Sequence, residues 1–170
     1  MNRLAITAVA ASALALTACS KKPPAELPPP PQDNGSAANT GALPPNGLTP
    51  GTEAHFQQVM AGRDVIYFDT DKYDIDSEDA AALRQQAQYL LQYANIRATI
   101  EGHADERGTR EYNLALGERR ANAARNYLVS LGVPATRLTT ISYGKERPVA
   151  LGSNEEAWAK NRRAVTVILQ

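Results

Sequence analysis

Nine of the eleven prolines in this 170-residue chain fall between Pro23 and Pro50 (Pro23, Pro24, Pro28 to Pro31, Pro44, Pro45 and Pro50), among Gly, Asn, Ser and Ala and without one aromatic residue. Proline fixes φ and removes the backbone donor that helix interiors and central strands need. With no apolar period to bury, such a stretch cannot offset the entropy of ordering itself. It divides the chain into an N-terminal segment of residues 1–18, a tether over 19–52 and a head over 53–170. Polyproline extension at ~3.1 Å per residue would carry about 30 residues roughly 90 Å, and a flexible coil nearer ~30 Å. The head, at 118 residues, is long enough for one core.

Arg3 opens the N-terminal segment, and Leu4 to Ala18 then holds only Leu, Ile, Val, Ala, Ser and Thr. At ~1.5 Å per residue this run spans roughly 22 Å, short of the ~30 Å hydrocarbon core of a bilayer. That is the length of a signal peptide. It ends Leu16-Thr17-Ala18-Cys19, which resembles the bacterial lipobox, and Cys19 is the only cysteine of the chain. A lone cysteine permits no internal disulfide and no thiolate metal cluster. Cys19 is therefore expected to carry lipid, and a triacylated cysteine exceeds the two chains that stable anchoring needs. Ser20, where retained lipoproteins of enteric bacteria carry Asp, points to the outer membrane.

The charges exclude other attachments. Lys plus Arg equals Asp plus Glu, 18 against 18, and removal of Arg3 with the signal leaves 17 against 18. Such a balance argues against nonspecific nucleic-acid binding, which depends on neutralising phosphates, and against polybasic attachment to anionic lipid.

The head reads as alternating strands and helices. Asp64 to Asp69 is expected as a short buried strand, and Ser77 as the N-cap of a helix with Leu83, Ala87, Leu90, Leu91 and Ala94 on one face. Ile96 to Glu101 alternates like a strand. A second helix begins near Thr109 or Arg110, carries Leu116, Ala124, Leu128 and Leu131, and closes at Gly132 and Pro134. Leu138 to Tyr143, Asn154 to Asn161 and Ala164 to Leu169 read as strand, short helix and strand. Alternation predicts parallel pairing through crossovers for the first two units. The expected class is α+β, a two-layer sandwich with helices on one face of a four-stranded mixed sheet.

The segment Ile100-Glu-Gly-His-Ala-Asp-Glu-Arg-Gly108 is followed by Tyr112-Asn113, Leu116-Gly117 and Arg119-Arg120-Ala121, then Ser142-Tyr-Gly-Lys-Glu-Arg-Pro148 and Asn161-Arg-Arg163. These motifs, in this order, resemble the OmpA-C-like peptidoglycan-binding domain. With the lipobox and tether in front, the arrangement resembles the peptidoglycan-associated lipoprotein family of Gram-negative bacteria. The resemblance implies a noncatalytic head that binds the diaminopimelate of the peptidoglycan stem. Asp105 would receive the ligand's ammonium and Arg120 its carboxylate, a match that a planar guanidinium makes with two oxygens at once. Asn113 would add neutral hydrogen bonds, the loop Asp69 to Asp74, with Asp71 and Tyr73, would line the pocket, and Thr109 and Arg162 are weaker carry-overs. Gly102 and Gly108 would permit tight backbone around the loop. The resemblance further implies membership of the Tol-Pal system, with TolB and other Tol proteins as partners. It implies no cofactor.

Two rival readings come from the residues themselves. His103 beside Glu101 and Asp105 invites a metal site and a metal-assisted amidase, but one imidazole without a second nearby favours a structural role. Glu101, Asp105 and Glu106 could be hydrolase carboxylates only if they shared a cleft. Trp158 and Tyr143 are expected to pack, and not to stack on sugars.

Overall fold

The computed structural model describes residues 48–169; the signal segment, Cys19 and the tether up to residue 47 lie outside the described residues. A helix not anticipated from the sequence opens the fold, α1 (Glu53–Met60), capped by the Thr52 hydroxyl. It is pinned by Phe56 and Met60, four residues apart and both buried, and by Glu53, whose carboxylate accepts the Ile168 N–H at 2.6 Å.

Strand β1 (Val65–Tyr67) leads to α2 (Ser77–Gln92). The N-cap is Asp76 and not Ser77: the Asp76 carboxylate accepts from the N–H groups of both Glu78 and Asp79 at 2.8 Å. One anionic oxygen thus serves two orphan donors at the positive end of the helix. Leu83, Ala87 and Leu90 are buried, but Leu91 is 46% exposed. One step of ~100° takes it off the buried face, and Ala94 lies exposed beyond the helix end. Strand β2 (Arg97–His103) runs two residues further than expected. Then come α3 (Arg110–Ser130), a 3-10 turn, β3 (Leu138–Gly144), α4 (Glu155–Asn161) and β4 (Arg163–Leu169).

The sheet order is β1-β4-β2-β3. As expected, β2 and β3 pair in parallel across α3. The first unit differs: β4 lies between β1 and β2, antiparallel to both. β4 buries Ala164, Thr166 and Ile168 on one face and half-buries Val165 and Val167 on the other, the profile of an inner strand. The three-residue β1 is left as a short edge.

Helices α1, α2 and α3 share one face of the sheet, with Phe56, Leu83, Leu90, Ile100, Leu128 and Ile168 in a single core. α3 approaches β2 closely where two glycines meet. A Cβ added to Gly102 would lie 1.8 Å from the Gly117 carbonyl oxygen. Gly102 is therefore a packing residue inside a strand and does not shape the ligand loop. Gly108, with φ +86°, does hold a turn that side chains resist.

Candidate functional site

The C-terminal ends of β1, β2 and β3 and the start of β4 meet at one end of the sheet. There the segments after β1 and β2 and the first turns of α3 enclose a cleft of about 260 Å³. Asp71, Asp105, Asn113 and Arg120, four of the residues expected to bind ligand, line it together with Gly108.

Arg120 forms its floor. It is fully buried, and three of its nitrogens donate to main-chain carbonyls: Nε to Lys72 (2.9 Å), Nη1 to His103 (2.8 Å) and Nη2 to Asp69 (3.0 Å). Its face lies 5.2 Å from the Phe68 ring centre. Burial lowers its pKa to about 10, against the opposing pull of Asp105, so it stays cationic at neutral pH. One side chain in mid-helix thus ties α3 to the end of β2 and to the loop after β1.

Asp105 is 7% exposed, and its nearest cation is Arg107, not Arg120. The Arg107 Nε donates to Oδ1 at 3.1 Å and Nη2 to Oδ2 at 2.6 Å, while the Arg107 backbone N–H reaches Oδ1 at 3.1 Å. Burial alone would raise the Asp105 pKa; the hydrogen bonds and charge of Arg107, with the charge of Arg162, outweigh it and hold the carboxyl below its ordinary range. Arg162 sits behind the carboxylate. Its Nε donates to the Phe68 carbonyl (2.9 Å) and its Nη2 to Glu155 (2.7 Å). Its Nη1 lies 3.6 Å from Asp105 Oδ2, without a hydrogen-bond partner.

The remaining expected residues divide. The Asn113 amide donates to the Arg107 carbonyl at 2.7 Å and holds the loop. Asp71, at φ +57°, accepts from the Tyr112 hydroxyl at 3.0 Å. Thr109 is the N-cap of α3, its hydroxyl accepting the Tyr112 N–H, and it does not line the cleft. Tyr73 is 43% exposed, with the Arg119 guanidinium 6.0 Å from its ring centre, and also lies outside the lining. Arg162 opens instead onto a larger groove of about 460 Å³, where Lys72, Lys160 and Arg162 face Asp69, Asp74 and Asp76. Only the smaller cleft gathers the motif residues. Thr70, within the loop expected to line the pocket, does so, while Arg107 and Tyr112 stand in its walls without having been anticipated as site residues. Arg107 lies within the quoted motif, two residues from Asp105, and that spacing was its available signal.

His103 is 2% exposed, with neither ring nitrogen hydrogen-bonded and its ring 5.6 Å from that of Tyr143. Burial first, and then the charges of Arg163 and Arg147, push its pKa down to about 4. A buried neutral imidazole of this kind is a packing group. Among the described residues no three His, Cys, Asp or Glu side chains are placed to share a metal. The two aromatic rings carry cations: Arg107 lies 4.2 Å from the centre of Trp158, and Arg147 lies 3.6 Å from that of Tyr143.

A mixed four-stranded sheet with α1, α2 and α3 on one face and a charged cleft at the strand ends is the arrangement of an OmpA-like domain, and the OmpA family model matches residues 67–162. The chain is 52% identical over 155 residues to the peptidoglycan-associated lipoprotein of Rhizobium meliloti (strain 1021), covering 91% of this chain and 82% of that protein. It is 43% identical over 157 residues to that of Haemophilus influenzae, covering 92% of each. The crystal structure of the peptidoglycan-associated lipoprotein from Burkholderia pseudomallei superposes with a TM-score of 0.60 at 48% identity, over 62% of this chain and 89% of that one. The C-terminal domain of Helicobacter pylori MotB shares the fold, at 20% identity and a TM-score of 0.57, over 62% of this chain and 84% of that one. The chain therefore belongs to the OmpA family and, within it, to the peptidoglycan-associated lipoproteins. Among the described residues no helix is long and apolar enough to cross a membrane.

Proposed function

We propose that this protein is a noncatalytic tether, acylated at Cys19 in the outer membrane, whose periplasmic head grips peptidoglycan through the diaminopimelate of its stem peptide. The observation that carries the reading is the convergence of Asp71, Asp105, Asn113 and Arg120 on one cleft. The free end of diaminopimelate bears an ammonium and a carboxylate on one carbon, so a site for it needs an anion and a cation close together. Asp105 takes the ammonium. The ligand's carboxylate goes to the floor, where Arg120 has two of its five N–H groups left after its three carbonyl bonds. Thr109 and Arg162 support this site from outside the lining: Thr109 starts α3, and Arg162 keeps positive charge behind Asp105.

The names of the relatives support the peptidoglycan reading. Resemblance to the family extends it to the Tol-Pal system, in which the head alternates between peptidoglycan and TolB and assists envelope constriction at division. With lipid at one end and the cell wall at the other, the tether of residues 19–52 bridges the two layers.

The test is sedimentation of the protein with purified sacculi. Wild type should pellet with the sacculi, and Asp105→Asn should remain in solution; equal pelleting of the two would refute the site. Asp105→Asn is preferable to any Arg120 variant, whose loss would also break the scaffold. Mass spectrometry of the mature N-terminus should find lipid on Cys19.

A further inference from the structure

In the structure Asp105 already has a cation on it. Both carboxylate oxygens accept from the Arg107 fork, at 3.1 and 2.6 Å. The Arg107 side chain is 38% exposed and that of Asp105 only 9%, so the guanidinium covers the carboxylate. Its Nη2 also donates across the cleft to Thr70 Oγ1 at 3.2 Å, joining the two walls at the mouth. We infer that Arg107 is a built-in occupant of the Asp105 site, a plug that an incoming ligand ammonium must displace. This inference rests on the proposed function and concerns the regulation of the same site.

Three features suit Arg107 to leave without dismantling the site. Its backbone N–H bonds Oδ1 independently of its side chain, so Asp105 stays oriented when the fork departs. The Arg162 guanidinium, buried at 3.6 Å from Oδ2, stays behind and keeps the carboxylate ionised. The exchange also replaces one cation by another on a single carboxylate, so Asp105 keeps a counter-ion throughout. Arg107, in contrast, is a partly exposed side chain on a loop, so solvent screens its charge and can take up its hydrogen bonds when it leaves. A ligand that binds only the unplugged form has its apparent affinity lowered by the fraction of time the site is open.

The plug carries its own reporter. The Arg107 guanidinium lies 4.2 Å from the centre of the Trp158 ring, whose indole N–H donates to Glu106 Oε1 at 3.0 Å, and Trp158 is the only tryptophan of the chain. Displacement of Arg107 removes a cation from the face of that ring.

The full-length protein in detergent is titrated with a soluble muropeptide containing meso-diaminopimelate, following tryptophan fluorescence and, separately, heat. Wild type should bind with a change in fluorescence. Arg107→Ala and Arg107→Gln should bind about three- to tenfold more tightly, the range expected when a solvent-screened competing cation is removed, and should lose most of the fluorescence change. Arg107→Lys, which still offers a cation, should stay close to wild type. Thermal melting verifies that each variant is folded, and the two neutral variants provide independent readings. Equal or weaker binding by both folded neutral variants overturns the plug while leaving the proposed function standing. Absence of binding by wild type, or unchanged binding by Asp105→Asn, overturns both.

Discussion

Arg120 Nη1 donates to the main-chain carbonyl of His103 at 2.8 Å, 17 residues back in the chain and at the last position of β2. Through this bond the middle of α3 is fastened to the strand end from which Asp105 is presented. The same guanidinium holds the carbonyls of Asp69 and Lys72, so one buried cation sets the relative positions of three cleft walls. Under the proposed function, binding and stability would be linked at this single side chain.

Arg120→Ala should cost about 3 kcal/mol or more, because the buried His103 carbonyl and the partly buried Asp69 and Lys72 carbonyls lose their donors and the large buried side chain leaves a cavity. Urea denaturation of the variant, compared with Asp105→Asn, separates this loss from loss of a ligand contact. Asp105→Asn should retain a stability much nearer to wild type.

The close approach of β2 and α3 makes a second prediction. Gly102→Ala places a methyl 1.8 Å from the Gly117 carbonyl oxygen, and neither backbone can retreat without opening the core. Failure to fold, or a loss above about 3 kcal/mol, is expected. Gly62→Ala, at φ +90° with nothing within 4 Å of the added Cβ, should cost only the backbone strain of about 1–2 kcal/mol. Equilibrium unfolding midpoints of the two variants distinguish steric from conformational cost.

Two buried groups should oppose each other in acid. Asp79 is 6% exposed, its Oδ1 accepting the Tyr67 N–H and its Oδ2 unpartnered. Burial, with smaller contributions from the neighbouring Asp76 and Glu78 charges, raises its pKa to about 6. Its stabilising contribution is complete below its ordinary value of 3.8 and is lost as pH rises through about 6. His103 has the opposite sign. With its pKa lowered from 6.5 to about 4, its contribution is complete above 6.5 and is lost as pH falls toward 4. Each shift of about two units corresponds to on the order of 2–3 kcal/mol, so between pH 4 and 6.5 the two nearly cancel. Asp79→Asn should therefore lose stability more steeply than wild type on acidification, and His103→Leu should gain stability over the same interval. Chemical denaturation at half-unit steps of pH measures both slopes.

Helix α1 is held to the core by Phe56 and Met60. Phe56→Ala should cost about 3–5 kcal/mol, as for other fully buried aromatic side chains. Glu53→Ala should leave the fold intact but speed hydrogen exchange at the Ile168 amide, whose acceptor is the Glu53 carboxylate.

Much of this was legible because it depends on local chemistry. The start of α3 near Thr109, the start of α4 near Asn154 and the turn after α3 at Gly132 (φ +99°) follow from side-chain and backbone preferences that act within a few residues. The start of α2 was misread by one residue because Asp76 and Ser77 are both good caps, and only the carboxylate reaches two N–H groups. α1 was missed because it is short and surrounded by polar residues; its two apolar anchors have meaning only against α2 and β4. The cleft was legible as a set of residues but not as a set of partnerships. Arg120 was expected to face a ligand carboxylate, yet it spends three donors on backbone carbonyls, and Asp105 closes with Arg107.

The amino-acid sequence by itself determined where most strands and helices of the head would begin, since apolar periodicity and turn and cap preferences act locally. It also determined which charged and small residues would be available to a site. Only the tertiary structure decided that β4 would enter between β1 and β2, that Gly102 would be spent on helix packing, and that Asp105 would rest beneath Arg107. Those outcomes depend on which groups meet across tens of residues, and on whether a buried charge finds a carbonyl, a counter-ion or solvent when they do.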